Sequence, residues 1–163
     1  MIMKSPKKFA TLCALALGLA FTPAISFAQT ITPQVEKKVE VKQVDSAKAF
    51  DAEMKASKTL VLVDFTAAWC GPCQGLKPKI EALAQEFKGK VLFLKVEQTV
   101  GTGLEATYNV NAFPTVKLFE PGGKEVSTSI GNKRIEDLRT WIQGEVDKFD
   151  KAQQAQQPKP QKP

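Results

Sequence analysis

The sequence contains no histidine and only three cysteines in 163 residues. Without imidazole, no Ser-His-Asp relay, no Cys-His pair and no His-ligated metal can be built. Long apolar runs are also missing. The stretch Phe9–Phe21, interrupted by Thr11 and Gly18, falls short of the ~20 residues a helix needs to cross a bilayer. The charge excess is small: a formal net charge of +6, much of it in the two ends. Such a balance does not mark a nucleic-acid surface, so no nucleic-acid partner is expected. What remains is an ordinary globular composition, 43% apolar and 25% charged, with enough apolar residues for one core.

Both ends depart from that composition. Lys4, Lys7 and Lys8 precede the apolar stretch, Pro23 breaks it, and Ser26-Phe27-Ala28 places small residues where a signal peptidase reads them. Residues 1–28 therefore read as a cleaved secretory signal, with Gln29 as the new N-terminus and no stable membrane insertion afterwards. The expected location is periplasmic or secreted. Cleavage removes three lysines and no acid, lowering the charge to +3, and it also removes Cys13. Residues 29–38 read as a linker and 39–149 as the folded domain. Residues 150–163, rich in Gln, Pro and Lys, carry nothing apolar larger than alanine and are expected to be disordered.

Within the domain, Val39, Val41 and Val44 suggest a short first strand, and Asp45 and Ser46 offer caps for a helix through Ala56. Ala49, Phe50 and Met54 would form the apolar face of that helix. The runs Thr59–Phe65 and Val91–Val96 read as strands covered on both sides. A helix is expected from the turn at Trp69–Cys73 to about Phe87, kinked at Pro78, which lacks the amide donor. A short helix fits Gly103–Tyr108, and a hairpin joins Thr115–Glu120 to Lys124–Ile130 through Pro121-Gly122-Gly123. An amphipathic helix over Arg134–Lys148 closes the order β-α-β-α-β-α-β-β-α. This predicts an α/β fold: a mixed central sheet with helices on both faces.

The pair Cys70 and Cys73 carries the chemistry. A zinc site needs about four nitrogen or sulfur ligands, and after cleavage the chain offers two, so no metal is expected. A purely structural disulfide closing so short a loop would contribute only roughly 2 kcal/mol, against about 4.7 for a 100-residue loop. A redox-active pair where a strand gives way to a helix is the favoured reading. The helix N-terminus presents unpaired amides and the positive end of its dipole, so Cys70 is expected to have a lowered thiol pKa and to be the attacking sulfur. Cys73, one turn further in, is expected to be more buried and to act second. Gly71 would let another chain approach, and Pro72 suits a helix start. The pattern Gly101-Thr102-Gly103-Leu104-Glu105-Ala106 also fits a dinucleotide-binding loop, but reads better as a turn feeding a short helix, so no organic cofactor is expected.

The segment Leu62-Val63-Asp64-Phe65-Thr66-Ala67-Ala68-Trp69-Cys70-Gly71-Pro72-Cys73 resembles the active-site region of thioredoxins. The resemblance extends over roughly residues 39–148 and implies the thioredoxin fold. It includes Pro78 in the helix, Phe113-Pro114-Thr115 as a cis-proline loop and Gly131 beside the substrate groove. It further implies that Asp64 helps deprotonate the resolving cysteine, with Lys95 near it. Trp69, Gly71, Pro72, Phe113, Pro114 and Gly131 would contact substrate. One departure stands out: thioredoxins usually carry tryptophan where this chain has Thr66.

The resemblance, with Gly-Pro between the cysteines, points to an exported reductase of protein disulfides. It would work as a monomer, re-reduced by a membrane thiol-electron donor. Two alternatives remain open on the sequence: an oxidase or isomerase of secreted proteins, and a binding or chaperone module that uses the groove without turnover.

Overall fold

A strand made almost wholly of apolar residues lies at the centre of the fold. In the computed structural model, which describes residues 40–98 and 103–156, every residue of the strand Leu60–Thr66 (β2) is buried. Strand geometry sends alternate side chains to opposite faces. Leu60 and Leu62 enter one core, and Val61, Val63 and Phe65 enter the other. By the same alternation Asp64 and Thr66 fall on the Leu60–Leu62 face.

The first strand, β1, is only Lys42–Gln43, with the helix α1 (Ala47–Ala56) after it. Then come β2, α2 (Gly71–Glu86), β3 (Val91–Glu97), α3 (Leu104–Thr107), β4 (Thr115–Phe119), β5 (Glu125–Ile130) and α4 (Ile135–Gln156). The sheet order is β1-β3-β2-β4-β5. β1, β3 and β2 run parallel; β4 runs antiparallel to β2, and β5 antiparallel to β4. The mixed sheet with helices on both faces is the expected class.

Two apolar layers hold these elements. Leu76, Ile80 and Leu83 of α2 and Leu138, Ile142 and Val146 of α4 cover the Leu60–Leu62 face. Phe50 and Met54 of α1, with Leu104 of α3, cover the other. There Tyr108 lies 5.1 Å from Phe50 and 5.3 Å from Phe119, between ring centroids. Ser46 caps α1 by accepting the Ala49 amide at 3.2 Å.

Several expectations need correction. Val41 and Val44 flank the first strand rather than form it, although Val44 is buried; Val39 lies outside the described residues. Ala49 is exposed, because it sits beside Phe50 rather than a turn away from it. Pro78, by contrast, lies inside α2 as expected, leaving the Gln74 carbonyl without its helical donor.

The largest difference is at the C-terminus, where α4 continues to Gln156 although disorder was expected from 150. Residues 151–156 are exposed, so burial does not explain their helix. Alanine and glutamine have good helix propensity, and extending a packed helix avoids the cost of a new nucleus. Residues 157–163 and the signal segment lie outside the described residues.

Lys117 is a cation that pattern reading missed. Its side chain is 7% exposed, and Nζ donates to Glu125 Oε1 at 2.8 Å and to Thr128 Oγ1 at 3.2 Å. The bonded ammonium holds the Glu125 carboxyl below its usual range against the opposing effect of desolvation. Glu125→Ala should destabilise the fold by about 1–3 kcal/mol, because it strands a buried charge beside a single hydroxyl. Lys117→Met should cost less, since an apolar chain of similar length then fills the site. Urea unfolding of the two variants checks the order.

Candidate active site

β2 delivers the chain to the cysteines. It ends at Thr66, and the turn Ala67–Trp69 is closed by the Cys70 amide donating to the Ala67 carbonyl at 3.1 Å. Cys70 is the N-cap of α2, with extended backbone (φ −87°, ψ 104°), and Gly71 and Pro72 are the first helical residues. The Cys73 amide donates to the Cys70 carbonyl at 3.2 Å and approaches Cys70 Sγ at 3.2 Å. That donor, like the helix dipole, stabilises negative charge on Cys70 once the disulfide opens.

Cys70 and Cys73 are joined in a disulfide, with Cα atoms 5.3 Å apart. The disulfide itself is the redox centre. Burial does not rank the two sulfurs as expected, since both residues are 4% exposed. What distinguishes them is helix position, with Cys70 the N-cap and Cys73 inside the first turn.

Around the disulfide the chain returns twice. The Phe113–Pro114 peptide is cis, and Phe113 packs on the cluster of Ala67, Cys70 and Cys73. Thr115 Oγ1 braces this loop by donating to the Ala112 carbonyl at 2.8 Å. Gly131, at φ 86°, donates its amide to the Pro114 carbonyl at 2.8 Å. A side chain would strain that positive φ. Trp69 is 75% exposed and stands edge-on to Phe113, with ring centroids 5.8 Å apart. A Cβ on Gly71 would meet nothing within 4 Å, so the space above the helix start is open.

Two further residues of this surface were not singled out from sequence. Ile130 is 56% exposed and lies opposite Thr115 in the β4–β5 register. Its edge-strand position shows only once the pairing is known. Gly75 lets α2 approach the loop after β5: a Cβ there would lie 2.6 Å from Asn132 Nδ2. Asn132 in turn accepts from Lys79 Nζ at 2.6 Å.

Asp64 occupies the layer beneath α2. Cys73, Leu76 and Ile80 follow one another along a single helix face, and Ile80 lines the cleft that reaches Asp64. The residue is 6% exposed and, among the described residues, nothing hydrogen-bonds its Oδ1. Burial pushes its carboxyl up to about 6, against the opposing attraction of Lys95. Lys95 is its register partner on β3, but the lysine Nζ is bonded to Glu97 Oε2 at 2.8 Å. The cleft, about 680 Å³, gives this buried carboxyl a path to solvent.

Two sulfurs joined at a helix N-terminus, a cis-proline loop against them and a buried carboxyl whose pKa burial raises form a set suited to dithiol–disulfide exchange. The comparisons with known proteins agree. A model of the thioredoxin family matches residues 40–144. The chain is 38% identical to a thioredoxin of Rickettsia felis over 94 residues, 58% of this chain and 89% of that one. It is 38% identical to a horse (Equus caballus) thioredoxin over 105 residues, 64% of this chain and 97% of the other. The solved structure of Malassezia sympodialis thioredoxin (Mala s 13) shares the fold, with TM-score 0.56 and 24% identity over 67% of this chain and 90% of that one. With Cys70 and Cys73 at the head of α2, the chain belongs to the thioredoxin family.

Proposed function

We propose that the chain is an exported thiol:disulfide oxidoreductase that reduces protein disulfides. The observation that carries the reading is Cys70 at the N-cap of α2, bonded to Cys73 beside the Phe113–Pro114 loop. In the reduced chain, the Cys70 thiolate attacks one sulfur of a substrate disulfide. A Cys70–substrate bond forms, and the other substrate sulfur leaves as a thiolate. The Asp64 carboxylate then accepts the Cys73 proton through the solvated cleft. The Cys73 thiolate attacks Cys70 Sγ, the Cys70–substrate bond breaks, and the second substrate sulfur departs as a thiolate. Two electrons have moved to the substrate, and the Cys70–Cys73 disulfide is restored.

Trp69, Phe113, Pro114 and Gly131 form the floor and wall against which an extended substrate strand would lie, with free backbone groups pairing to it. Gly71 and Pro72 leave the approach to Cys70 open. The leader-like segment 1–28 supports export to a periplasmic or extracellular space. An oxidising compartment lacks soluble reductant, so a membrane thiol-electron donor would return the chain to the dithiol state.

The reduction potential of the full chain, equilibrated with glutathione buffers, tests the direction. A value near roughly −270 mV supports a reductase, and one near about −120 mV makes the chain an oxidant of secreted proteins. Thr66, buried where the family usually has tryptophan, is then the first residue to exchange. N-terminal sequencing of the exported protein should start at Gln29; an intact Met1 would overturn the export reading.

A further inference from the structure

Lys95 is already engaged when it faces Asp64. The two are partners in the β2–β3 register, and the cation draws the carboxyl toward its charged form. Yet the ammonium is bonded to Glu97, two residues further along the same strand and so on the same face of the sheet. Lys95 and Glu97 are each 28% exposed in their side chains, partly withdrawn from solvent screening. The layer therefore holds an alternating row: the Asp64 carboxylate, the Lys95 ammonium and the Glu97 carboxylate. A bonded counter-anion cancels much of a cation's field at a third group.

We propose that Glu97 is a positioning residue for the resolving step: by holding the Lys95 ammonium, it sets how strongly that cation acts on Asp64, and so how readily Asp64 takes the Cys73 proton. The proposal rests on Asp64 being the proton acceptor described above. Of the other charges lining the cleft, Glu40 and Lys42 lie at the β1 end, with the Lys42 ammonium bonded to Glu53 of α1, and Lys77 and Glu81 lie on α2. β4 offers Asp64 only the apolar Val116 as register partner. Lys95 is the cation placed opposite Asp64 in the register and the one whose charge acts on it.

The test is a double-mutant cycle read on the oxidised chain. The Asp64 side-chain carboxyl carbon is followed by NMR from acid to alkaline pH in wild type, Glu97→Gln, Lys95→Met and the double variant. Releasing Lys95 from Glu97 should lower the Asp64 midpoint by roughly half a unit to one unit, and Lys95→Met should raise it. In the Lys95→Met background, Glu97→Gln should shift the midpoint less than half as far, because the lysine that transmits the effect is gone. No shift in Glu97→Gln overturns the proposal. Equal shifts in both backgrounds also overturn it, since Glu97 would then act on Asp64 directly.

Turnover gives the second readout, with insulin as disulfide substrate and dithiothreitol as reductant. The acid limb of the Glu97→Gln pH profile should move to lower pH, and a profile superimposable on wild type overturns the link to the resolving step. The titration needs no turnover, so a chain that failed as a reductase would still answer whether Glu97 governs Lys95.

Discussion

Cys70→Ser should reduce insulin-disulfide turnover to the background of the reductant alone. A serine hydroxyl at the N-cap of α2 meets the same amide and the same dipole, but its far higher pKa leaves no anion for them to stabilise near neutrality. Cys73→Ser should fail differently. Cys70 can still attack, but no second sulfur follows, so the chain should accumulate as a mixed disulfide with its substrate. Mass spectrometry of the two variants after incubation with oxidised insulin distinguishes them: an adduct on Cys73→Ser and none on Cys70→Ser. Full turnover in Cys70→Ser would sink both directions of the redox reading through this pair.

Asp64→Ala should make the protein more stable and the enzyme slower. In the folded chain the carboxyl titrates at about 6, against 3.8 for the unperturbed group. Between those values the native state binds more protons than the unfolded one, so stability falls as pH rises from about 4 to about 6. Above that window the cost is constant, on the order of 3 kcal/mol for a carboxylate this deeply buried. Removing the carboxyl should remove both the cost and the slope. Urea unfolding at pH 4 and pH 8 checks this: the variant's gain should be confined to the higher pH. The kinetic effect follows from the same burial, since a carboxyl titrating near neutrality is well matched to accept a thiol proton. Its loss should slow mixed-disulfide resolution at least about tenfold, short of a full general-base effect because the cleft lets water substitute. Attack by Cys70 should be little changed. Equal slowing of both steps would argue that Asp64 acts on packing rather than on the proton.

The site and the fold differ in how far residue patterns reveal them. The Trp69–Cys73 turn, the strand carrying Asp64 and the helix they feed are local, and each is written in consecutive residues. Apolar runs marked β2 and β3 because central strands are covered on both faces. Side chains joined by distant pairing left no such mark. Ile130 reads as one more apolar strand residue until Thr115 is placed opposite it. Gly75 shows no need for a missing side chain until Asn132 lies against it. Lys117 in an alternating strand suggests a solvent-facing lysine, and only the β4–β5 register brings Glu125 and Thr128 to its ammonium. At the C-terminus composition misled, because the absence of apolar residues rules out a core contribution and not a helix propagated from packed turns.

The sequence by itself determined the chemistry: a pair of cysteines with two residues between them, no histidine to compete for other roles, and an acid inside an apolar strand. Those are properties of residue type and short spacing, which the chain carries in any conformation. The tertiary structure decided the strength of that chemistry. Whether Asp64 ionises near neutrality depends on burial and on a lysine 31 positions away in sequence, itself held by Glu97. Desolvation and Coulomb attraction depend on distance through space, and only the folded sheet sets those distances.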